Sequence, residues 1–258
     1  MPTQVPYDPK RFFESVYGAA KEGELDDRYT ISPEFDPVAA KYHYNALENS
    51  IILAIRGFRP ATFPVQRIRR VLDVGSGSGH WIDFYLAYYH PSTVCGLEIA
   101  QPAVEFLEQK YAGEEKVHIV GTDVTHERFQ LDQTFEVVNA IGVMFHIVED
   151  TKWQRALRNL AGCLTDDGII LAGGQFGLTT QNVQMHKTDD FESWTEARTS
   201  SAPAIRVNKR LRSLAMWKAG ARQAGLTVRG LQLTKRHRAV WTPEGNVLVL
   251  SREPRLTS

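Results

Sequence analysis

The segment from Val71 to Trp81 is where the chain's chemistry concentrates. An apolar run leads into three glycines at alternate positions, Gly75, Gly77 and Gly79, and a helical pattern follows from His80. Glycines are needed where the backbone must turn tightly and lie against a ligand without a Cβ in the way. The helix behind them aims its free N–H groups and positive dipole end at the same spot, which suits a polar or anionic group. The spacing is G-x-G-x-G; the dinucleotide fingerprint G-x-G-x-x-G would need a glycine where His80 stands. Asp73, two residues before the first glycine, is an unusual occupant of a strand covered on both faces. A buried carboxylate needs donors, so it suits a cationic amine or an ordered water. Glu98 lies 19 residues after Gly79, at the end of the next apolar run, where a carboxylate can accept two ribose hydroxyls. Asp123 follows the third run and can accept from the exocyclic amine of an adenine. Each piece has a bland alternative: a tight turn, a helix cap, a solvated loop acid. Their order at three consecutive strand ends argues against the bland alternative for all three at once.

Strands and helices must carry these residues to one place. In zone 1–69, Tyr44, Leu47, Ile51, Ile55 and Phe58 form one helical face, closed by Gly57 and Pro60, and a weaker helix is expected over Arg11 to Ala20. In zone 70–173 the expected strands are Arg70–Val74, Thr93–Leu97, Val117–Val120, Phe135–Ile141 and Ile169–Ala172. Helices are expected over His80 to Tyr89, from Pro102 onward, and along the stripe Trp153, Ala156, Leu157, Leu160, Ala161 and Leu164. Asp150 or Thr151 would cap the last of these, and Asp167-Gly168 would turn the chain into the fifth strand. Such alternation implies a parallel sheet covered on both faces. A polar stretch, about Gly173 to Asn208, is too long for a plain connection and reads as a lid or binding loop. A helix is expected from Leu211 toward Gly225. Val228–Leu233 and Val247–Leu250 then form an antiparallel pair around a turn at Thr242 to Gly245.

Together these residues resemble the class I S-adenosylmethionine-dependent methyltransferases, closely over about Arg70 to Gly174 and more loosely beyond. The resemblance implies an α/β, doubly wound, Rossmann-like seven-stranded sheet with six parallel strands and one antiparallel. It implies an N-terminal helical cap (1–69), a core (70–258) and an insertion after strand 5 (174–208) on the substrate side. The cofactor implied is S-adenosylmethionine, with S-adenosylhomocysteine as product. Asp73, Gly75, Gly77 and Gly79 would hold its methionine part and Glu98 its ribose. Asp123 would contact adenine, with Val124 near the ring, and Asn139 would serve the cofactor or the substrate through its amide.

The fourth strand leads into Asn139 to Ile147, and ligands in open parallel sheets lie outside the carboxyl ends of strands. Methyl transfer from a sulfonium is a direct displacement, helped by alignment and exclusion of water. A hydroxyl or ammonium acceptor also needs a base, and His146 is the first candidate; the alternative is that it only packs. Tyr17, Tyr42, His43 and Tyr44, with His186, Trp194 and Arg206 of the insertion, could wall a small-molecule pocket. No Asn/Asp-Pro-Pro-Tyr follows the fourth strand, neither cysteine sits where a cytosine-5 enzyme needs one, and Asn139 stands where catechol-type enzymes place a metal-binding Asp. A metal-independent enzyme acting at O or N of a small molecule is the expectation. An RNA or protein methyltransferase, or a non-catalytic cofactor-binding partner, is the alternative.

Composition agrees. The chain has 258 residues, room for one large α/β domain. Thirty basic and 30 acidic side chains balance to zero net charge, which argues against a protein living on phosphate backbone. Arg67, Arg69 and Arg70, and Lys235 to Arg238, are the local basic exceptions. Cys95 and Cys163 lie in apolar runs and read as buried thiols, not zinc ligands. No apolar run approaches a membrane span and no signal-like stretch opens the chain, so a cytoplasmic location is expected. The sequence leaves the oligomeric state open.

Overall fold

The computed structural model describes residues 7–18, 25–27, 37–58, 68–174, 180–184, 208–232 and 246–252. Six helices fall within them: α1 (Pro9–Gly18), α2 (Pro37–Phe58), α3 (His80–Tyr89), α4 (Gln101–Lys110), α5 (Asp150–Gly162) and α6 (Leu214–Gln223). The strands are β1 (Arg70–Val74), β2 (Thr93–Glu98), β3 (Val117–Gly121), β4 (Phe135–Ile141), β5 (Leu164–Gly174), β6 (Gln181–Gln184), β7 (Asn208–Leu211), β8 (Leu226–Gln232) and β9 (Asn246–Arg252). Seven of them form one sheet in the order β3-β2-β1-β4-β5-β9-β8. Only β9 runs antiparallel to its neighbours. This is the expected six-plus-one sheet.

The strands' period of two divides the core into two layers. Leu72, Val138, Ile170 and Leu250 face α5 and α6, meeting Trp153, Leu157, Leu160 and Trp217. Val71, Val137, Leu171 and Val249 face the other way, toward Leu47 and Ile51 of α2 and Ile82 and Tyr85 of α3. The order reverses beside β1, between β1 and β4, so the crevice at their carboxyl ends is the ligand position of such a sheet. Of the two N-terminal helices, α2 is a sheet-covering helix. Only α1 sits apart, packing Phe12, Val16 and Tyr17 on Ala100 and Ala103 at the start of α4.

Four local expectations are corrected. Asp150 is the first residue of α5 and Glu149 its cap, without a side-chain capping bond; Arg210 and Arg212 occupy the Asp150 carboxylate instead. Asp167-Gly168 does not separate two elements, because β5 runs from Leu164 and absorbs the extra residues in a bulge between the Phe135 and Val137 pairings. A Cβ at Gly168 would come within 2.8 Å of the Phe135 carbonyl, which explains the glycine without a turn. Leu211 ends β7, and α6 starts at Leu214 behind Ser213, whose hydroxyl accepts from the Met216 amide at 3.3 Å. The polar stretch after β5 is not wholly loop: β6 and β7 pair as an antiparallel ribbon. His186, Trp194, Arg206, the 242–245 turn, Arg67 and Lys235 to Arg238 lie outside the described residues. Arg70 meets Glu136 at 3.8 Å.

Candidate active site

The glycine segment folds back on β2. Gly75 and Ser76 donate to the Leu97 carbonyl at 2.7 and 3.0 Å. Gly75, Gly77 and Gly79 all have positive φ (71°, 52° and 85°), the left-handed region that side chains with a Cβ disfavour. A Cβ at Gly75 would also overlap the Val143 side chain at 2.5 Å. The spacing read in the sequence is thus a backbone requirement at each glycine.

Asp73 is fully buried at the end of β1, on the face toward α2 and α3. Its Oδ1 accepts from the Asn139 amide at 2.8 Å, while Oδ2 has no partner. Burial, opposed by the bonds from Asn139 and Ser76 and reinforced by the nearby Glu98 charge, raises its pKa to about 6. An orphaned carboxylate oxygen at a glycine cradle is what a cationic amine would satisfy, so the residues present fit an amino-acid-bearing cofactor. Asn139 is itself fully buried. Its amide nitrogen is engaged by Asp73, and the Tyr85 hydroxyl donates to its oxygen at 3.5 Å. Its visible work is to orient Asp73.

Glu98 is buried at the end of β2. Its carboxylate accepts from Gly77 N–H at 2.9 Å, Ile99 N–H at 2.8 Å and Ala100 N–H at 2.9 Å. Burial raises its pKa and the three backbone bonds oppose that rise. Oε1 takes two of these bonds and Oε2 one, so Oε2 keeps the open acceptor position. Asp123 caps its own turn, accepting from Thr125 N–H at 2.7 Å. Val124 packs into the α5 layer, and its carbonyl accepts from Asn159 at 2.7 Å. Asp73 is bonded to Asn139 and Glu98 to Gly77, which gathers these residues at the ends of β1, β2 and β4; Asp123 lies just past the end of the neighbouring β3, and the Val124 side chain is part of the core.

His146 lies beyond β4 in an aromatic surround. Phe13 of α1 meets it edge-on at 5.2 Å and Phe145 tilts against it at 4.4 Å. The Tyr7 hydroxyl is 3.5 Å from Nδ1. Burial, with the Lys209 charge second, holds its pKa well below the usual imidazole value. Tyr17 of α1 is buried within electrostatic reach of Glu98. Tyr44 is buried beside His80, whereas Tyr42 is exposed.

Sequence reasoning missed several residues that hold this site. Arg212 is almost fully buried, reaches the Ile147 carbonyl at 2.8 Å and Asp150 at 2.9 Å, and stacks over Trp153 at 4.5 Å. Arg210 donates its amide to the Phe145 carbonyl at 2.8 Å. The ribbon strand β7 thereby fixes the loop bearing His146. On the other side, Lys110 reaches the Ser78 carbonyl at 2.9 Å and Tyr111 the Gly79 carbonyl at 3.0 Å. The signals were an arginine pair at alternate positions and a Lys-Tyr pair ending a helix. Neither type nor spacing names the carbonyls they serve.

Among the described residues, no group of three or more His, Cys, Asp or Glu side chains is arranged to hold a metal, and no helix is long and apolar enough to cross a membrane. No curated protein sequence significantly matches the chain. The family model described as a methyltransferase domain matches residues 72–170. Among solved structures, an S-adenosylmethionine-dependent methyltransferase from Clostridium acetobutylicum ATCC 824 superposes with TM-score 0.60 at 8% identity, over 87% of this chain and 95% of that one. The O-methyltransferase NcsB1 of neocarzinostatin biosynthesis, solved with S-adenosylhomocysteine and 1,4-dihydroxy-2-naphthoic acid, gives 0.52 at 17% identity, over 84% of this chain and 59% of that one. The sugar N-methyltransferase KedS8 from Streptoalloteichus sp ATCC 53650 gives 0.57 at 14% identity, over 81% and 88%. At these identities the superpositions speak for the fold. The sequence match marks residues 72–170 as similar to a methyltransferase domain, and the superpositions place that segment within the fold shared with these methyltransferases.

Proposed function

We propose that the enzyme transfers the methyl group of S-adenosylmethionine to an oxygen or nitrogen of a small molecule. The observation that carries this reading is the Asp73 carboxylate, buried with Oδ2 unpartnered beside three left-handed glycines. Asp73 would hold the cofactor's ammonium, Gly75, Gly77 and Gly79 its methionine part, Glu98 a ribose hydroxyl through Oε2, and Asp123 the adenine amine. Val124 contributes backbone and packing near the base, and Asn139 keeps Asp73 aimed. When bound, the cofactor supplies an electrophilic methyl on a sulfonium.

The protein's part is to align the acceptor and exclude water. Phe13, Phe145 and Tyr7 around His146 offer an aromatic wall for this. His146 is neutral at working pH, because burial disfavours its cation. In the tautomer that donates from Nδ1 to the Tyr7 oxygen, Nε2 carries the lone pair that can take the acceptor's proton. The small-molecule activities named for NcsB1 and KedS8 support the acceptor class.

The test is a panel of hydroxylated aromatics and amino sugars incubated with enzyme and labelled S-adenosylmethionine, scored by label in product. For the productive acceptor, His146→Ala should lower the rate at saturating cofactor and acceptor by about a hundredfold, the scale of general-base help. A near-unchanged rate removes His146 from the chemistry.

A further inference from the structure

His80 departs from the dinucleotide fingerprint, and neither the fold nor the cofactor explains a histidine there. It is the first residue of α3, directly after Gly79. Its Nδ1 lies 2.7 Å from Asp27 Oδ2 and its Nε2 2.9 Å from Glu48 Oε1, so both ring nitrogens are engaged by carboxylates. The Tyr44 ring stacks on it at 3.7 Å. Ser78, inside the glycine segment, donates to the other oxygen of Asp27 at 2.7 Å. Burial raises the Asp27 carboxyl, but the bonds from His80 and Ser78 and the charges of His80 and Lys110 together outweigh it, and the net pKa is lowered.

Three parts of the molecule meet at this ring. Glu48 and Tyr44 belong to α2, which is anchored in the sheet layer. Ser78 and His80 belong to the glycine segment. Asp27 belongs to the N-terminal region whose Leu25 packs in one cluster with Phe12, Val16 and Tyr17 of α1. That helix brings Phe13 against His146 and Tyr17 into reach of Glu98. Other charges near the ring are Asp73, Lys110 and Asp83; the last two are paired at 2.8 Å, with Lys110 also on the Ser78 carbonyl.

We propose that His80 is a positioning residue: through its paired bonds to Asp27 and Glu48 it latches the α1 segment across the glycine segment. The latch slows cofactor escape and sets the aromatic wall around His146. This rests on the reading of that crevice as the cofactor site. A glutamine at position 80 carries both of its N–H donors on one nitrogen, where the imidazole meets the two carboxylates with two separate ring nitrogens, so it does not reproduce the paired geometry.

The test uses the full-length protein, S-adenosylhomocysteine as probe, and the variants His80→Gln, Asp27→Asn and their combination. Each single variant should bind S-adenosylhomocysteine about tenfold more weakly, mainly through faster dissociation, as expected for loss of a charge-assisted hydrogen bond. Amide exchange across residues 9–18 should rise with it. The double variant should lose less than the product of the two single losses, because the His80–Asp27 bond is common to both. Single variants within twofold of wild type in affinity and dissociation rate, or losses that multiply in the double variant, overturn the latch. If His80→Gln does not fold, Asp27→Asn, at a more exposed side chain, carries the affinity, dissociation and amide-exchange comparisons with wild type. A wild-type protein that binds no S-adenosylhomocysteine instead overturns the functional reading beneath it.

Discussion

Replacing Asp73 by asparagine removes a charge that the fold buries without a full set of partners. The Asp73 carboxyl is raised from the usual 3.8 to about 6, chiefly by burial. The displacement, roughly two pH units, is worth about 3 kcal/mol between the two protonation states. Because the folded value lies above the unfolded one, folding favours the protonated acid. Its contribution is complete below about pH 4 and is lost as the pH rises through about 6. Urea unfolding of wild type and Asp73→Asn from pH 4 to 8, without ligand, isolates this group, since the other titrating groups are common to both. The stability of wild type relative to the variant should fall by about 3 kcal/mol across that range, most of it before pH 7. Saturating S-adenosylhomocysteine should restore wild type at pH 8 and help the variant little, because the ligand's ammonium meets a carboxylate in only one of them. Parallel stability curves for the two proteins would refute the buried, under-partnered state of Asp73.

Glu98→Gln sets an amide donor against one of the backbone donors from Gly77, Ile99 and Ala100. It should cost about 2 kcal/mol in urea unfolding and weaken S-adenosylhomocysteine binding at least tenfold in calorimetry. Arg212→Ala strips partners from Asp150 and from the Ile147 carbonyl. A loss of about 3 kcal/mol is expected, at the low end for a broken buried pair because Asp150 is partly exposed, with a thermal melt as readout.

The sheet was legible because its signals are local. Phe135–Ile141 and His80–Tyr89 appear with their expected bounds, set by apolar runs between strong punctuation. The placement of Asp73, Glu98 and Asp123 at or just past three adjacent strand ends was legible for a related reason: parallel strands bring their carboxyl ends to one edge whatever the detailed packing. The ribbon was not, since Gln181–Gln184 and Asn208–Leu211 are mostly polar and alternate with no period. Asp150 looked like a cap because its type is right for one, and two arginines 60 and 62 residues away decided otherwise. His80 stood out only as a missing glycine. Its partners lie 53 and 32 residues earlier, at distances over which a sequence gives no pairing signal.

The central claim is that the crevice from Gly75 to Gly79, with Asp73 and Glu98, holds S-adenosylmethionine. Calorimetric titration of the full chain with S-adenosylmethionine and with S-adenosylhomocysteine tests it most directly. One molecule of each should bind per chain, and Asp73→Asn and Glu98→Gln should each weaken both. Absence of binding by either ligand to the folded wild-type protein would contradict it.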